Sequence, residues 1–217
     1  MKTRESMKET TRTNPKEMKE LLCQALETEM GGVKVYRAAI QCARNEDLRE
    51  EWSRYLEQTE RHVEIVRGIF EVVGLDPEED GPGRRIVREK GAALVSAMQK
   101  ALKEAPEAAE IVAAECVVDA ETKDHANWQL IGALSKYTRG DVQKALADAY
   151  DEVEDEEDEH LYHTKGWCRE LWLDSLGLDA EMPPPEEEED VKTELDEAKT
   201  AKKRKTEIEK AGKKKAS

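Results

Sequence analysis

The fold is decided by Leu48-Arg49-Glu50-Glu51-Trp52-Ser53-Arg54-Tyr55-Leu56-Glu57-Gln58-Thr59-Glu60-Arg61-His62-Val63-Glu64-Ile65-Val66-Arg67-Gly68-Ile69. Within it Leu48, Trp52, Tyr55, Thr59, His62, Val66 and Ile69, continued by Val73, follow one another at alternating steps of four and three. That period turns one face of a helix inward and marks the seam of a helix packed among other helices. Thr59 and His62 are polar members of the seam, so the predicted core contains polar groups.

Outward from this seam, the prolines at 15, 77, 82, 106 and 183 to 185 leave two long proline-free stretches, 16–76 and 107–182. Proline breaks helix interiors, so each stretch has room for two helices. Asn14, Pro15 and Glu17 read as N-cap, first helical residue and capping-box acid, and Asn45 reads as the next N-cap. Helices are expected over about 15–44 and 46–73, and, after a Gly/Pro loop through Gly83, a short crossover helix over about 86–102. Two more are expected over about 106–136 and 141–176, the last capped by Asp141 and bent at Gly166. Nothing alternates with period two, so the expectation is an all-α, up-and-down four-helix bundle over residues 15–178.

The flanks differ in composition. Residues 1–14 read as a flexible N-terminus, and 179–217 run from Pro183-Pro184-Pro185 through the acids Glu186 to Asp190 to a Lys-rich end. Too few apolar side chains are present there to offset the entropy of ordering, so a disordered charged tail is expected.

Of the 217 residues, 39% are charged, 38% hydrophobic and 5% aromatic, the balance of one water-facing domain with some surplus. The longest apolar runs, Ala92 to Val95 and Ile111 to Ala114, have four residues, against roughly 20 for a membrane span. Met1 to Glu20 has no apolar core of the kind a secretory signal needs, so a cytoplasmic location is the expectation. Fifty acidic against 35 basic side chains give a net charge of −15, which attracts cations and argues against nucleic acid as main partner, weak binding through the Lys-rich tail excepted. The four cysteines, 23, 42, 116 and 168, form no C-x-x-C pair, so no zinc ribbon or dithiol motif is indicated.

The remaining stripes carry acids at core positions. Leu22, Glu29, Tyr36 and Ala43 recur at steps of seven, flanked by Leu26, Val33 and Ile40. In the third long helix Ile111, Ala114, Val118, Glu121, His125 and Trp128 form the stripe, and in the fourth Leu146, Ala149 and Val153 lead to Glu156, Glu157 and His160. Glu157 and His160, three apart, share one helical face. Burying Glu29, Glu121 and Glu157 without a counter-charge would cost several kcal/mol each, and no Lys or Arg occupies these seam positions. A divalent cation answers that cost. Carboxylate oxygen with imidazole nitrogen suits iron or manganese, and zinc less exclusively.

At these residues the chain resembles the ferritin-like superfamily, which includes ferritin, bacterioferritin and rubrerythrin. In its two-metal bundles two helices give one Glu each and the other two give a Glu-x-x-His each. The likeness covers about residues 15–176; Tyr55 to Glu64, with Phe70 and Gly74-Leu75-Asp76-Pro77, resembles a bacterial stress-associated branch with an extra short helix between its hairpins. The resemblance implies Glu29, His62, Glu121, Glu157 and His160 as ligands of one or two iron ions. It also implies iron oxidation or sequestration, or peroxide handling, with O2 or peroxide as oxidant, the work of a ferroxidase or a peroxidase-like oxidoreductase. The chain departs from the pattern at Thr59, where the first hairpin should carry Glu, leaving three inward carboxylates where the full pattern has four. That position is expected to be looser, to recruit Gln58 or water, or to stay empty. The alternative from another class is a non-catalytic helical stress or interaction module with a vestigial site. A homo-oligomer, as shell or dimer, is compatible with either reading.

His163 reads either as a second partner near the centre or as exposed, and Tyr36 and Trp128 as core aromatics or donors beside it. Gly31-Gly32, inside the first helix, read as allowing close helix packing or room for a ligand.

Overall fold

The computed structural model describes residues 13–180, which form five helices and, among the described residues, no strand. These are α1 Pro15–Cys42, α2 Glu46–Val73, α3 Pro82–Glu104, α4 Ala109–Ser135 and α5 Gly140–Ser175. The chain divides into the units Met1–Leu178 and Asp179–Ser217, and all five helices belong to the first. The expected flexible N-terminus and disordered tail lie outside the described residues, apart from Thr13, Asn14, Asp179 and Ala180. Among the described residues no helix is long and apolar enough to cross a membrane.

Local chemistry sets the helix ends. The Asn14 side chain accepts from the Lys16 N–H with Pro15 in the first turn, and the Asn45 side chain accepts from the N–H groups of Asp47 and Leu48. α2 stops at Gly74, whose left-handed φ of 73° lets its N–H reach the Phe70 carbonyl. Glu110 Oε1, in the first turn of α4, accepts from the backbone N–H of Arg44 and Asn45 at 2.7 Å each and ties down the α1–α2 turn.

Three boundaries differ from the sequence expectation. α3 begins at Pro82 rather than near 86, because proline suits the first turn, where no N–H is needed. α4 begins at Ala109 rather than near 106. α5 starts at Gly140, which takes the left-handed φ of 62°, so Asp141 lies in the first turn instead of capping, and the helix continues unbroken through Gly166.

α1 packs on α2 and α4, and α5 packs on both of those, so the contacts close a ring; α3 lies against α1 and α4. The buried apolar side chains fall into two clusters. One contains Val35, Tyr36, Leu48, Trp52, Tyr55, Met98 and Val117, and the other Leu22, Leu26, Val66, Phe70, Trp128, Ile131, Leu146 and Val153. Between them, on each of α1, α2, α4 and α5, the buried residues turn polar: Glu29, Thr59 and His62, Glu121 and Asp124, Glu157 and His160.

α3 is anchored by a buried ion pair, Arg84 Nε to Glu27 Oε2 at 3.0 Å, with Arg88 Nε on Glu27 Oε1 at 2.8 Å. Burial alone would raise the Glu27 carboxyl, but Arg88 and Arg84 outweigh it and hold the group below its ordinary value. The two adjacent glycines serve both uses. A Cβ on Gly32 would stand 3.2 Å from Thr59 Cγ2, so α1 and α2 approach closely there. Both glycines also border a cavity of about 440 Å³ beneath α3, which Gly91 and Leu94 line from α3.

Candidate metal centre

The polar layer brings together all five residues singled out as ligands. Glu29 comes from α1, His62 from α2, Glu121 from α4, and Glu157 with His160 from successive turns of α5. They form two groups, Glu29/His62/Glu157 and Glu121/Glu157/His160, and in each group one donor atom per residue lies within 4.8 Å of the others. Glu157 belongs to both. His62 Nδ1 stands 3.1 Å from Glu157 Oε1 and 3.8 Å from Glu29 Oε1; His160 Nδ1 stands 3.6 Å from Glu121 Oε2 and 3.7 Å from Glu157 Oε1.

Both imidazoles are held from outside. His62 Nε2 lies 2.8 Å from Glu156 Oε2, a carboxylate that Arg61 also binds, and His160 Nε2 lies 3.0 Å from Gln58 Oε1. An Nε2–H donated outward leaves the Nδ1 lone pair directed inward, the arrangement in which carboxylate or amide partners orient a ligating histidine. The two rings are nearly parallel, with centroids 5.7 Å apart. Trp128 Nε1 donates to Glu29 Oε1 at 2.6 Å and orients that carboxylate.

The inward atoms have no hydrogen-bond partner: Nδ1 of both histidines, Oε2 of Glu29, Glu121 and Glu157, and Oδ1 of Asp124. Leaving one buried polar atom unpaired costs about 1–3 kcal/mol, and of the six in this layer five belong to the two Glu/His groups, so a cation held there would satisfy them. These residues therefore fit divalent metal. Electrostatics agrees in sign: burial, reinforced by mutual repulsion, raises the carboxyls of Glu29, Asp124 and Glu157 well above the ordinary range. Burial also lowers the His62 imidazole, with Glu156 opposing, and neutral imidazole is the ligating form.

Sequence reasoning missed Asp124. The stripe expected on α4 ran through Val118 and His125, whereas the buried positions are Ala113, Ala114, Val117, Glu121, Asp124, Trp128 and Ile131. His125 is displaced toward the surface, its side chain 13% exposed, with Nδ1 3.3 Å from Asp158. The available signal was the step of three from Glu121 to Asp124 and four from there to Trp128, the same alternation that marks α2. Asp124 is buried in the same layer, near enough for its charge to help raise the Glu29 carboxyl, and brings the buried carboxylates of that layer to four; it belongs to neither of the two Glu/His groups.

Other expectations are settled by position. The Thr59 hydroxyl donates to the Tyr55 carbonyl at 2.8 Å, and Gln58 supports His160 rather than filling the position of Thr59. Tyr36 is buried, its ring edge-to-face with His160 at 5.9 Å between centroids, and burial together with Glu121 raises its phenol. The His163 side chain is half exposed, 3.3 Å from the Tyr55 hydroxyl and from Glu51. The four cysteines are free thiols.

Compared with family models, curated proteins and solved structures, the chain matches none. The donor set and its surroundings are therefore the basis for a functional reading.

Proposed function

We propose that α1, α2, α4 and α5 form a ferritin-like four-helix bundle that holds a dinuclear metal centre, iron in the first instance, in its polar layer. The observation that carries this reading is the pair of Glu/Glu/His groups sharing Glu157, each with an inward Nδ1 that has no other partner. Four inward carboxylates also balance the charge of two divalent ions, which offsets the desolvation that makes the layer costly when empty. Mixed oxygen and nitrogen donors suit iron or manganese better than a thiolate-seeking metal.

Glu29, His62 and Glu157 would hold one ion and Glu121, Glu157 and His160 the other. Asp124, buried in the same layer, would supply the further carboxylate that Thr59 does not. Glu156 and Gln58 hold the imidazole tautomers, and Trp128 fixes the Glu29 carboxylate. The apolar clusters on either side keep bulk water away. Bound iron would supply electron transfer to O2 or peroxide, for iron oxidation, sequestration or peroxide disposal in the cytoplasm.

A second reading draws on the raised carboxyls. Protonated Glu29, Asp124 and Glu157 could stand in the core without an ion, as a vestigial site in a non-catalytic interaction module. Metal content separates the two. Untagged protein purified from iron-replete cells without chelator is expected to carry about two ions of iron or manganese per chain, and a Glu157→Ala/His160→Ala variant almost none. Less than about a tenth of an ion per chain in both, with no uptake of added ferrous iron, would leave the second reading standing.

A further inference from the structure

A buried centre needs a path, and the walls of the polar layer are not equally closed. On the α2 side the Glu156–Arg61 pair covers His62, and Gln58 covers His160. The 440 Å³ cavity beneath α3 is bordered by Thr28, Gly31 and Leu94, and no member of the two ligand groups lines it. A smaller cleft of about 140 Å³ between α4 and α5 does reach the centre: His125, Gln129, Tyr150, Glu154 and Asp158 surround it, Trp128 and Glu157 also line it, and Gln129 Nε2 lies 2.8 Å from His125 Nε2.

Its polar groups grade inward. The Asp158 side chain is 59% exposed, that of His125 13% and that of Glu157 2%, and His125 Nδ1 lies 3.3 Å from Asp158 Oδ1. Glu157 keeps Oε2 buried without a partner. Tyr150 is bound to Glu154, whose carboxylate, together with burial, pushes the phenol up to about 12. Its ring packs where a Cβ on Gly132 would lie, 2.7 Å from Tyr150 Cδ2, so the ring sits directly against the α4 backbone beside the cleft.

Resting on the metal-centre reading, we infer that this cleft is the route by which a hydrated divalent cation reaches the centre, with Glu154 and Asp158 attracting it and His125 taking it up before Glu157. A cation passing along it exchanges waters one at a time for carboxylate and imidazole donors and is never bare in an apolar wall. The two acids at the mouth raise the local concentration of cations, an effect that weakens with salt. Glu157, at the inner end and common to both ligand groups, can accept the ion for either.

The test is the rate of cobalt(II) uptake by full-length metal-free protein, followed by its visible absorption, alongside bound cobalt at equilibrium. Glu154→Gln/Asp158→Asn, and separately Gln129→Lys, are expected to slow uptake about tenfold or more at low salt, with the difference shrinking at high salt and the final stoichiometry unchanged. A charge-matched variant elsewhere on the surface, Glu46→Gln/Glu104→Gln, should load at the wild-type rate. Full stoichiometry with rates within about twofold of wild type in both cleft variants would overturn the route and leave the centre intact. A changed stoichiometry would also overturn it, by making these residues ligands. No cobalt bound by the wild-type protein would overturn route and centre together.

Discussion

Glu157 and its neighbours set the proton balance of the metal-free protein. Burial holds the carboxyls of Glu29 and Glu157 above the ordinary glutamate value of about 4.3, and that of Asp124 above the ordinary aspartate value of about 3.9. Above those values the unfolded chain has released protons that the folded chain keeps, so these groups make stability fall as pH rises. His62 acts in the opposite sense below its ordinary value of about 6.5, because the folded state keeps it neutral, but it is one group against three. Glu27, held low by Arg88 and Arg84 despite its burial, contributes stability that is lost as pH falls below about 4.3. The melting temperature of metal-free protein is therefore expected to be highest at about pH 4 to 5, between the loss of the Glu27 contribution and the onset of the three-carboxyl penalty, and to decline toward pH 8. A steady rise to pH 8 would show that the three carboxyls ionise freely. Saturating metal should remove the decline, since the ligating form is the carboxylate.

At the scale of the helix, the two adjacent glycines of α1 make opposite predictions from one chemistry. Alanine in place of glycine within a helix is worth roughly 0.5–1 kcal/mol where the methyl group has space. A Cβ on Gly31 would meet nothing within 4 Å, so Gly31→Ala should stabilise by about that amount. On Gly32 the same atom would stand 3.2 Å from Thr59 Cγ2, in the tight crossing of α1 and α2. Gly32→Ala should gain nothing or lose stability, as read by urea denaturation midpoints of the two variants at one pH. Equal gains would mean that α1 and α2 are not held so close.

At the scale of the whole molecule, two apolar clusters favour folding and the polar layer between them opposes it, a cost that a bound ion would offset on the proposed reading. Stability should consequently depend on metal concentration. An ion that binds only the folded state adds about 2.7 kcal/mol at a free concentration one hundred times its Kd. Thermal unfolding of the full chain in increasing manganese(II) or anaerobic iron(II) should show a melting temperature that climbs with the logarithm of concentration. The Glu157→Ala/His160→Ala variant, which keeps neither complete Glu/His group, should not respond. A flat wild-type titration would count against the dinuclear reading.

What the sequence by itself determined was the set of helices and most of the inward polar positions. Caps at Asn14 and Asn45, the breaks at Gly74 and Pro82, and the alternation of four and three along α2 are local signals, and local hydrogen bonding and periodicity act on each helix separately. His62, Glu157 and His160 were legible because they occupy seam positions on helices with one dominant inward face. α4 was misread by part of a turn, because it packs against α1, α3 and α5, so its apolar residues spread around the helix and Asp124 could not be told from His125 by spacing. Only the tertiary structure decided that Glu157 serves both ligand groups, that Gln58 and Glu156 hold the imidazoles from outside, and that the α4–α5 cleft reaches the layer. These depend on the rotation and separation of four packed helices, which residue spacing along one helix does not encode.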